Sequence, residues 1–372
     1  MSWLRIAAAA LLLLLVPVGA WVLPGAGQAP PPPGSPPVRA AKPTAPAPAA
    51  KPAATSAGKP VWPPVAGATA PAGSAALPEA AASEREHGPD LAYGAFQRGY
   101  YLTAFAIATR RVEEKNDVKA MTLLGELYAN GYGVPRDDAK AAEWYRFAAD
   151  RGDRAAMFAL GMFYLGGRIG KIDGEAGAKL LASAAKLGLA AASYDLALLY
   201  LEGNVFPQDF TRAAELFRVA AEAGTPEAQY ALATLYKEGR GVPKDLAAAA
   251  RLLAAASTSD LTDAQVEYAI ALFNGFGVAR DESHAAALLK KAARKGNPVA
   301  QNRLANILAV GRGMKADPVE AIKWHIVAKA GGVSDVPLDT FVQKQAPDVR
   351  TAAEKAAKAW LDSLKEARES RS

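Results

Sequence analysis

AMTLLGELYANGYGVPRDDAKAAEWYRFAADRG (residues Ala120–Gly152) is the stretch that decides the fold, because its pattern returns five more times at a spacing of 36 residues. Each of the six units opens on an alanine: Ala120, Ala156, Ala192, Ala228, Ala264 and Ala300. A period of this size predicts a solenoid, in which each unit buries its apolar face against its neighbours.

One unit is predicted to form two helices joined by a short loop. Ala120, Leu124 and Tyr128 lie at helical spacing and predict a buried face. Gly131 is expected to end that helix, because glycine adopts the left-handed cap conformation at no steric cost. An aspartate at the start of the second helix is expected to cap its free N–H groups in every unit: Asp137, Asp173, Asp209, Asp245, Asp281 and Asp317.

The pattern A-x-x-x-L-G-x-x-Y-x-x-G-x-G-V-x-x-D-x-x-x-A-x-x-W-Y-x-x-A-A-x-x-G resembles the Sel-one-like repeat (SLR), a relative of the tetratricopeptide repeat. The resemblance implies an all-α, right-handed solenoid of helix-turn-helix repeats. The six repeats are placed at residues 120–155, 156–191, 192–227, 228–263, 264–299 and 300–335. The second and third units depart from the pattern in the loop, where Ile169-Gly170 and Val205-Phe206 replace Gly-Val.

Segments on both sides of the repeats are expected to seal the ends of the solenoid. Residues 90–119 are interpreted as an N-terminal capping pair, with helices at 92–98 and 101–115. Residues 336–372 are expected to hold C-terminal capping helices at 338–344 and 348–367, followed by a tail. The apolar face of the longer one is predicted to be Val349, Ala352, Ala353, Ala356, Trp360 and Leu364.

Residues 1–20 have the pattern of an export signal. Arg5 precedes the apolar run from Ile6 to Val18, and Val18-Gly19-Ala20 is suited to cleavage. These features favour an exported, periplasmic protein. The alternative is an uncleaved inner-membrane anchor in residues 1–23 that faces the periplasm, although its apolar run is short for a membrane span.

Residues 21–89 are predicted to be a disordered linker, since they hold 17 of the 26 prolines and little that could form a core. Within them, the segment Lys59-Pro60-Val61-Trp62-Pro63-Pro64 has a tryptophan in a polyproline-like setting. It is interpreted as part of a spacer, with a docking peptide as the alternative.

Composition excludes several classes of protein. The chain has no cysteine, which excludes disulfides and thiolate metal sites. Its net charge is +6, but from His87 onward there are 37 basic and 34 acidic residues. A nearly balanced surface does not indicate binding to nucleic acid.

Neither catalytic residues nor cofactor or metal ligands are predicted. Of the three histidines, His284 is expected on the surface and His325 in the core, and His87 lies at the edge of the linker. No set of nucleophile, base and orienting group accompanies them. The repeated aspartates supply one carboxylate per helix pair, too few to chelate calcium.

Tetratricopeptide-type solenoids line their concave face with first helices, so positions 3, 7 and 10 of each unit are the candidate partner-binding positions. In the second to fifth units these are Phe158, Met162, Leu165, Tyr194, Leu198, Leu201, Tyr230, Thr234, Lys237, Val266, Ile270 and Phe273. A periodic apolar stripe is core by default; the alternative is an apolar trough for a partner protein or peptide.

By resemblance, the expected function is a non-catalytic, monomeric scaffold or adaptor of the bacterial cell envelope, serving signalling or regulation. Its partner would be a protein or peptide. The alternative is a structural spacer, tethered to the membrane through an uncleaved leader and reaching across the envelope by its linker.

Overall fold

The computed structural model describes residues 90–369, which fold into sixteen α-helices and contain no strand. The predicted leader (1–20) and linker (21–89) lie outside these residues. The helices are α1 (Leu91–Gln97), α2 (Tyr101–Lys115), α3 (Val118–Asn130), α4 (Asp138–Ala149), α5 (Arg154–Leu165), α6 (Gly174–Lys186), α7 (Ala190–Glu202), α8 (Phe210–Glu222), α9 (Pro226–Glu238), α10 (Leu246–Ser257), α11 (Thr262–Asn274), α12 (Glu282–Arg294), α13 (Pro298–Val310), α14 (Pro318–Ala330), α15 (Val336–Gln343) and α16 (Pro347–Glu369).

Successive helices pair and stack in chain order, which makes the repeats an all-α solenoid. Units 1 to 6 are the pairs α3/α4, α5/α6, α7/α8, α9/α10, α11/α12 and α13/α14. The second helix of each unit packs on the first helix of the next. Each pair therefore covers the apolar side of its neighbour, as the 36-residue period predicts.

The predicted helix starts are confirmed in all six units. The carboxylate of each aspartate accepts a hydrogen bond from the backbone N–H three residues on, at 2.9–3.0 Å. Gly131 ends α3 with φ of +71°. Unit 2 differs, because α5 ends at Leu165 with Gly166 as its cap, and the left-handed residue is Gly167.

Small residues allow close packing inside each pair. A Cβ atom placed on Gly125 would lie 2.6 Å from the ring of Tyr145, so the tyrosine packs directly on the backbone of α3. In unit 2 both helices carry glycine, and a Cβ on Gly177 would lie 2.8 Å from the carbonyl oxygen of Gly161. Tyr145 is buried, as is Phe217 in the equivalent position of α8.

The loop of each unit also contacts the start of the preceding unit's second helix. A Cβ on Gly241 would lie 2.2 Å from the backbone of Phe210, and one on Gly277 would lie 2.0 Å from the carbonyl oxygen of Leu246. Val205 stands at this loop position in unit 3. Its side chain lies 2.9 Å from where a Cβ of Gly174 would be.

Capping helices close both ends of the described stack. Phe105 of α2 contacts Tyr128 of unit 1 edge-on, with ring centroids 5.7 Å apart. Trp360 of α16 contacts Trp324 of unit 6 at 5.1 Å. The α16 face differs from the prediction: Ala357 is buried and Ala352 is exposed, because the buried side runs through Ala353 and Ala357, four residues apart. No helix within residues 90–369 combines the length and apolar character needed to cross a membrane.

Candidate functional site

Positions 3, 7 and 10 of the first helices form what we call the first-helix face, carried by α3, α5, α7, α9, α11 and α13. Of the twelve candidate residues on it, six are buried: Tyr194, Leu198, Leu201, Thr234, Val266 and Phe273. The other six are half-buried: Phe158, Met162, Leu165, Tyr230, Lys237 and Ile270. The buried residues contribute to packing between helices, so the accessible part of the predicted site is the half-buried set.

Unit 2 gives the face its most continuous accessible apolar stretch. The three residues of α5 pack on the edge of a core cluster but keep part of their surface in solvent: Phe158, Met162 and Leu165. Leu165 packs directly on the backbone of α6, since a Cβ on Gly177 would lie 2.7 Å from its Cγ. A partner that covered this stretch would remove apolar surface from water, which favours association.

Units 4 to 6 carry charges on this face and at the adjoining position 4. Lys237 of α9 binds Glu267 of α11, with Nζ 2.9 Å from Oε2. Arg303 of α13 follows, and the negative charges of Asp335 and Glu267 act on it. Burial lowers the pKa of Arg303, while these two carboxylates oppose that shift. The result is a half-buried row of alternating sign that ends at the N-terminus of α15.

Asparagine side chains donate hydrogen bonds to two aspartates in this region, Asp335 and Asp263. Asn302 and Asn306 donate hydrogen bonds to Asp335 Oδ2 at 3.0 and 2.9 Å. Burial acts to raise the pKa of Asp335, but these hydrogen bonds keep it below its ordinary value. Asp263 accepts from Asn297 at 3.0 Å, yet burial raises its pKa. Desolvated charges in fixed positions can discriminate between partners by their charge pattern.

Sequence reasoning missed the charged row because it considered positions 3, 7 and 10 alone. Glu267 and Arg303 stand at position 4, one residue further along the helix. Across the units this position reads Leu123, Ala159, Asp195, Ala231, Glu267 and Arg303. Charged residues stand at this position in unit 3, where Asp195 is buried, and in units 5 and 6, and the two successive charges of units 5 and 6 are the signal that would have found the row.

His284 and His325 lie where the sequence predicted, while His87 lies outside the described residues. His284 is exposed, and His325 is buried in α14. His325 Nε2 lies 2.8 Å from Asp339 Oδ1, and Lys329 Nζ lies 3.1 Å from the same oxygen. Hydrogen bonds from His325 and Lys329 hold the pKa of Asp339 below its ordinary value. This arrangement fastens α15 to α14.

Between positions 90 and 369, no group of three or more His, Cys, Asp or Glu side chains is placed to hold a metal ion. The aspartates that begin the second helices are occupied instead as caps, as the sequence predicted.

Comparison with protein families identifies the repeat. Six consecutive segments, more than half of the chain, match the family model described as Sel1 repeat: residues 118–153, 154–189, 190–225, 226–261, 262–297 and 298–333. These segments begin two residues before the units defined above. Among curated proteins, none matches the chain.

Solved structures share the fold. A Sel1 repeat protein from Oxalobacter formigenes aligns with a TM-score of 0.54 and 25% sequence identity, covering 66% of this chain and 97% of that one. A protective antigen present in uropathogenic Escherichia coli strains, which displays an SLR fold, aligns with a TM-score of 0.50 and 26% identity. That alignment covers 70% of this chain and 64% of the antigen, so this chain spans less than two thirds of the antigen's length.

Proposed function

The chain belongs to the Sel1 repeat family, whose repeats are generally protein-interaction modules, and we propose that it is a non-catalytic scaffold that binds a partner polypeptide through the first-helix face. The observation that carries the proposal is the division of this face. Unit 2 offers half-buried apolar side chains, and units 4 to 6 offer a fixed row of charges. A polypeptide with an apolar segment beside a charged one matches both parts.

Half-buried residues, rather than buried ones, are the right places to test this contact. Leu198 is 4% exposed, so a charge there would disrupt packing and report on stability. Phe158, Met162 and Ile270 are accessible enough to touch a partner. A substitution at these positions perturbs the surface more than the core.

Site-specific photo-cross-linking in cells of the producing bacterium tests the proposal. A photoreactive phenylalanine analogue replaces Phe158, Met162 or Ile270 in the full chain, one at a time. The controls carry it at Lys179 or Glu215, exposed residues of α6 and α8. We expect one common adduct from the three face positions and none from the controls. Adducts from the controls alone, or from no position, would refute binding through this face.

Charge reversal supplies a second, independent readout. Glu267→Lys replaces the ion pair between Lys237 and Glu267 with two adjacent positive charges, which repel each other. We expect the adduct from Ile270 to weaken, while circular dichroism shows unchanged helix content. An adduct unaffected by the reversal would exclude the charged row from recognition.

We also propose that the scaffold is exported to the periplasm, because residues 1–20 have the order of an export signal. The run from Ile6 to Leu23 supports the second candidate, an inner-membrane tether that makes the chain a spacer of the envelope. N-terminal sequencing separates the two. A mature end at Trp21 in the soluble periplasmic fraction supports export, and an intact leader in the membrane fraction supports the tether.

A further inference from the structure

Each first helix carries two inward positions, 5 and 9, that hold one leucine and one tyrosine in the first five units. The pairs are Leu124 with Tyr128, Leu160 with Tyr164, Leu196 with Tyr200, Leu232 with Tyr236, and Tyr268 with Leu272. Unit 6 has Leu304 and Leu308, so it is the one unit without a tyrosine.

In units 1 to 4 the tyrosine stands at position 9, and in units 2 and 4 its hydroxyl binds a cation of the preceding unit's second helix. Arg146 of α4 donates a hydrogen bond to the hydroxyl of Tyr164 at 3.4 Å. Arg218 of α8 donates in the same way to Tyr236 at 3.3 Å. In both cases the cation stands eighteen residues before the tyrosine. Lys290 stands eighteen residues before Leu308, so it is the equivalent cation in unit 6.

Beside the two leucines of unit 6 opens a cavity of about 340 Å³, which is within the usual range for ligand sites. Leu304, Leu308, Met314 and Trp324 give it apolar walls, and Lys290 and Lys315 lie at its rim. Neither lysine has an ion-pair partner among the described residues.

The acidic groups of the lining are already engaged. Asp317 caps α14 by accepting from the backbone N–H of Glu320. Glu320 accepts from Lys323 Nζ and from Trp324 Nε1, both at 2.9 Å. The cavity therefore combines apolar side chains with two lysines that bind no carboxylate within residues 90–369, which suits an aromatic ring bearing an oxygen.

We propose that this cavity binds a tyrosine side chain of a partner polypeptide. The ring packs on Met314 beside Leu308, and Lys290 donates a hydrogen bond to the phenol oxygen, as the arginines do in units 2 and 4. The inference rests on the proposed function only in taking the partner to be a polypeptide. The cavity is separate from the first-helix face, because its lining residues occupy other positions of the unit.

Methionine methyl groups provide the test, since the chain has five methionines and Met314 lines the cavity. The full chain is labelled with methyl-¹³C methionine and titrated with N-acetyl-L-tyrosinamide, followed by NMR. We expect a saturable shift of the Met314 methyl signal, in the millimolar range typical of a single small group. Met121, which is fully buried in α3, should not shift. A shift that is linear in concentration, or absent, overturns the proposal.

Two variants make the assignment specific. Leu308→Tyr supplies the missing ring from the chain itself and should abolish the Met314 response. Lys290→Met should weaken binding of N-acetyl-L-tyrosinamide several-fold and leave binding of N-acetyl-L-phenylalaninamide unchanged. Lys291→Met, an exposed neighbour outside the cavity, should bind like the wild type. An unchanged response in Leu308→Tyr, or equal losses in Lys290→Met and Lys291→Met, overturns the proposal.

This test is independent of the one for the first-helix face. Failure of the titration, with adducts still formed at Phe158 and Ile270, removes the cavity and leaves the scaffold. Saturable binding in the cavity without any adduct on the face removes the proposed face and leaves the cavity.

Discussion

The loops of units 4 to 6 and the loops of units 2 and 3 make the same contact with the preceding unit by different means. In units 4 to 6 a glycine approaches the backbone at the start of the preceding second helix. In unit 3 the loop carries Val205, and the facing helix begins with Gly174. In unit 2 the loop carries Ile169, and its neighbour Arg168 binds Asp138 at the start of α4.

In units 3 and 5 the loop and the preceding helix fit together although different residues stand at the same repeat position. Where the helix start has a side chain, as at Leu246, the loop is glycine. Where the helix start is Gly174, the loop supplies the side chain. Because interiors are close-packed, a side chain at position 174 would compete with Val205 for the same space.

Among the variants considered, Gly277→Ala is expected to lower the stability of the protein most. A methyl group there would lie 2.0 Å from the carbonyl oxygen of Leu246, and φ is +69°, so the loop must move away from α10. We expect the free energy of unfolding to fall by more than about 3 kcal/mol. Urea unfolding followed by circular dichroism measures it.

Gly224→Ala is the matched control for Gly277→Ala. Its φ is +85°, but a Cβ there would meet no atom within 4 Å. We expect a loss of about 1 kcal/mol, from the left-handed backbone alone. Equal losses in the two variants would show that the close approach of Gly277 does not matter.

The side chains of unit 5 can be introduced into unit 3 by exchanging which of the two facing residues is glycine. Gly174→Leu alone should lower the stability by about 2 kcal/mol, because the new side chain collides with Val205. Val205→Gly alone should cost about 1 kcal/mol through lost packing. The double variant reproduces the pairing of Leu246 with Gly277, so it should recover most of the loss. A double variant whose loss equals the sum of the single losses would contradict the exchange.

The smallest effect is expected at the loop of unit 2 and depends on pH. Hydrogen bonds from Arg168 and Arg136 lower the pKa of Asp138 from 3.8 to about 2. A carboxyl whose pKa is lowered by folding stabilises the fold above about pH 4, and this contribution disappears as the pH falls towards 2. We expect Arg168→Met to cost about 0.5–1 kcal/mol more at pH 7 than at pH 2, since the pair is partly solvated.

Arg136→Met is the control for this pair. Arg136 also binds Asp138, at 3.0 Å, but its side chain is 62% exposed. We therefore expect its pH-dependent effect to be smaller than that of Arg168→Met. If Arg168→Met lost the same unfolding free energy relative to wild type at pH 7 and at pH 2, the ion pair with Asp138 would not stabilise the loop of unit 2.

The sequence predicted those parts of the fold that recur. The aspartate caps and the glycine after the first helix follow from local chemistry, so Asp137 and Gly131 could be placed without a structure. The exchange of Val205 with Gly174 could not, because it depends on which residues meet across two units. The same limit applies to Leu198. Its position on the first-helix face was compatible with either the core or the surface, and only the structure shows that it is buried.

Hydrogen exchange of wild type and Gly277→Ala, read by mass spectrometry, tests the central claim that the hairpins form one stack in which each contacts only its neighbours. We expect protection to fall most in α10 to α12, on either side of the altered loop, less in α13 and α14, and not in α3 to α6. An equal loss of protection in all six units, or a loss without relation to distance from Gly277, would contradict it.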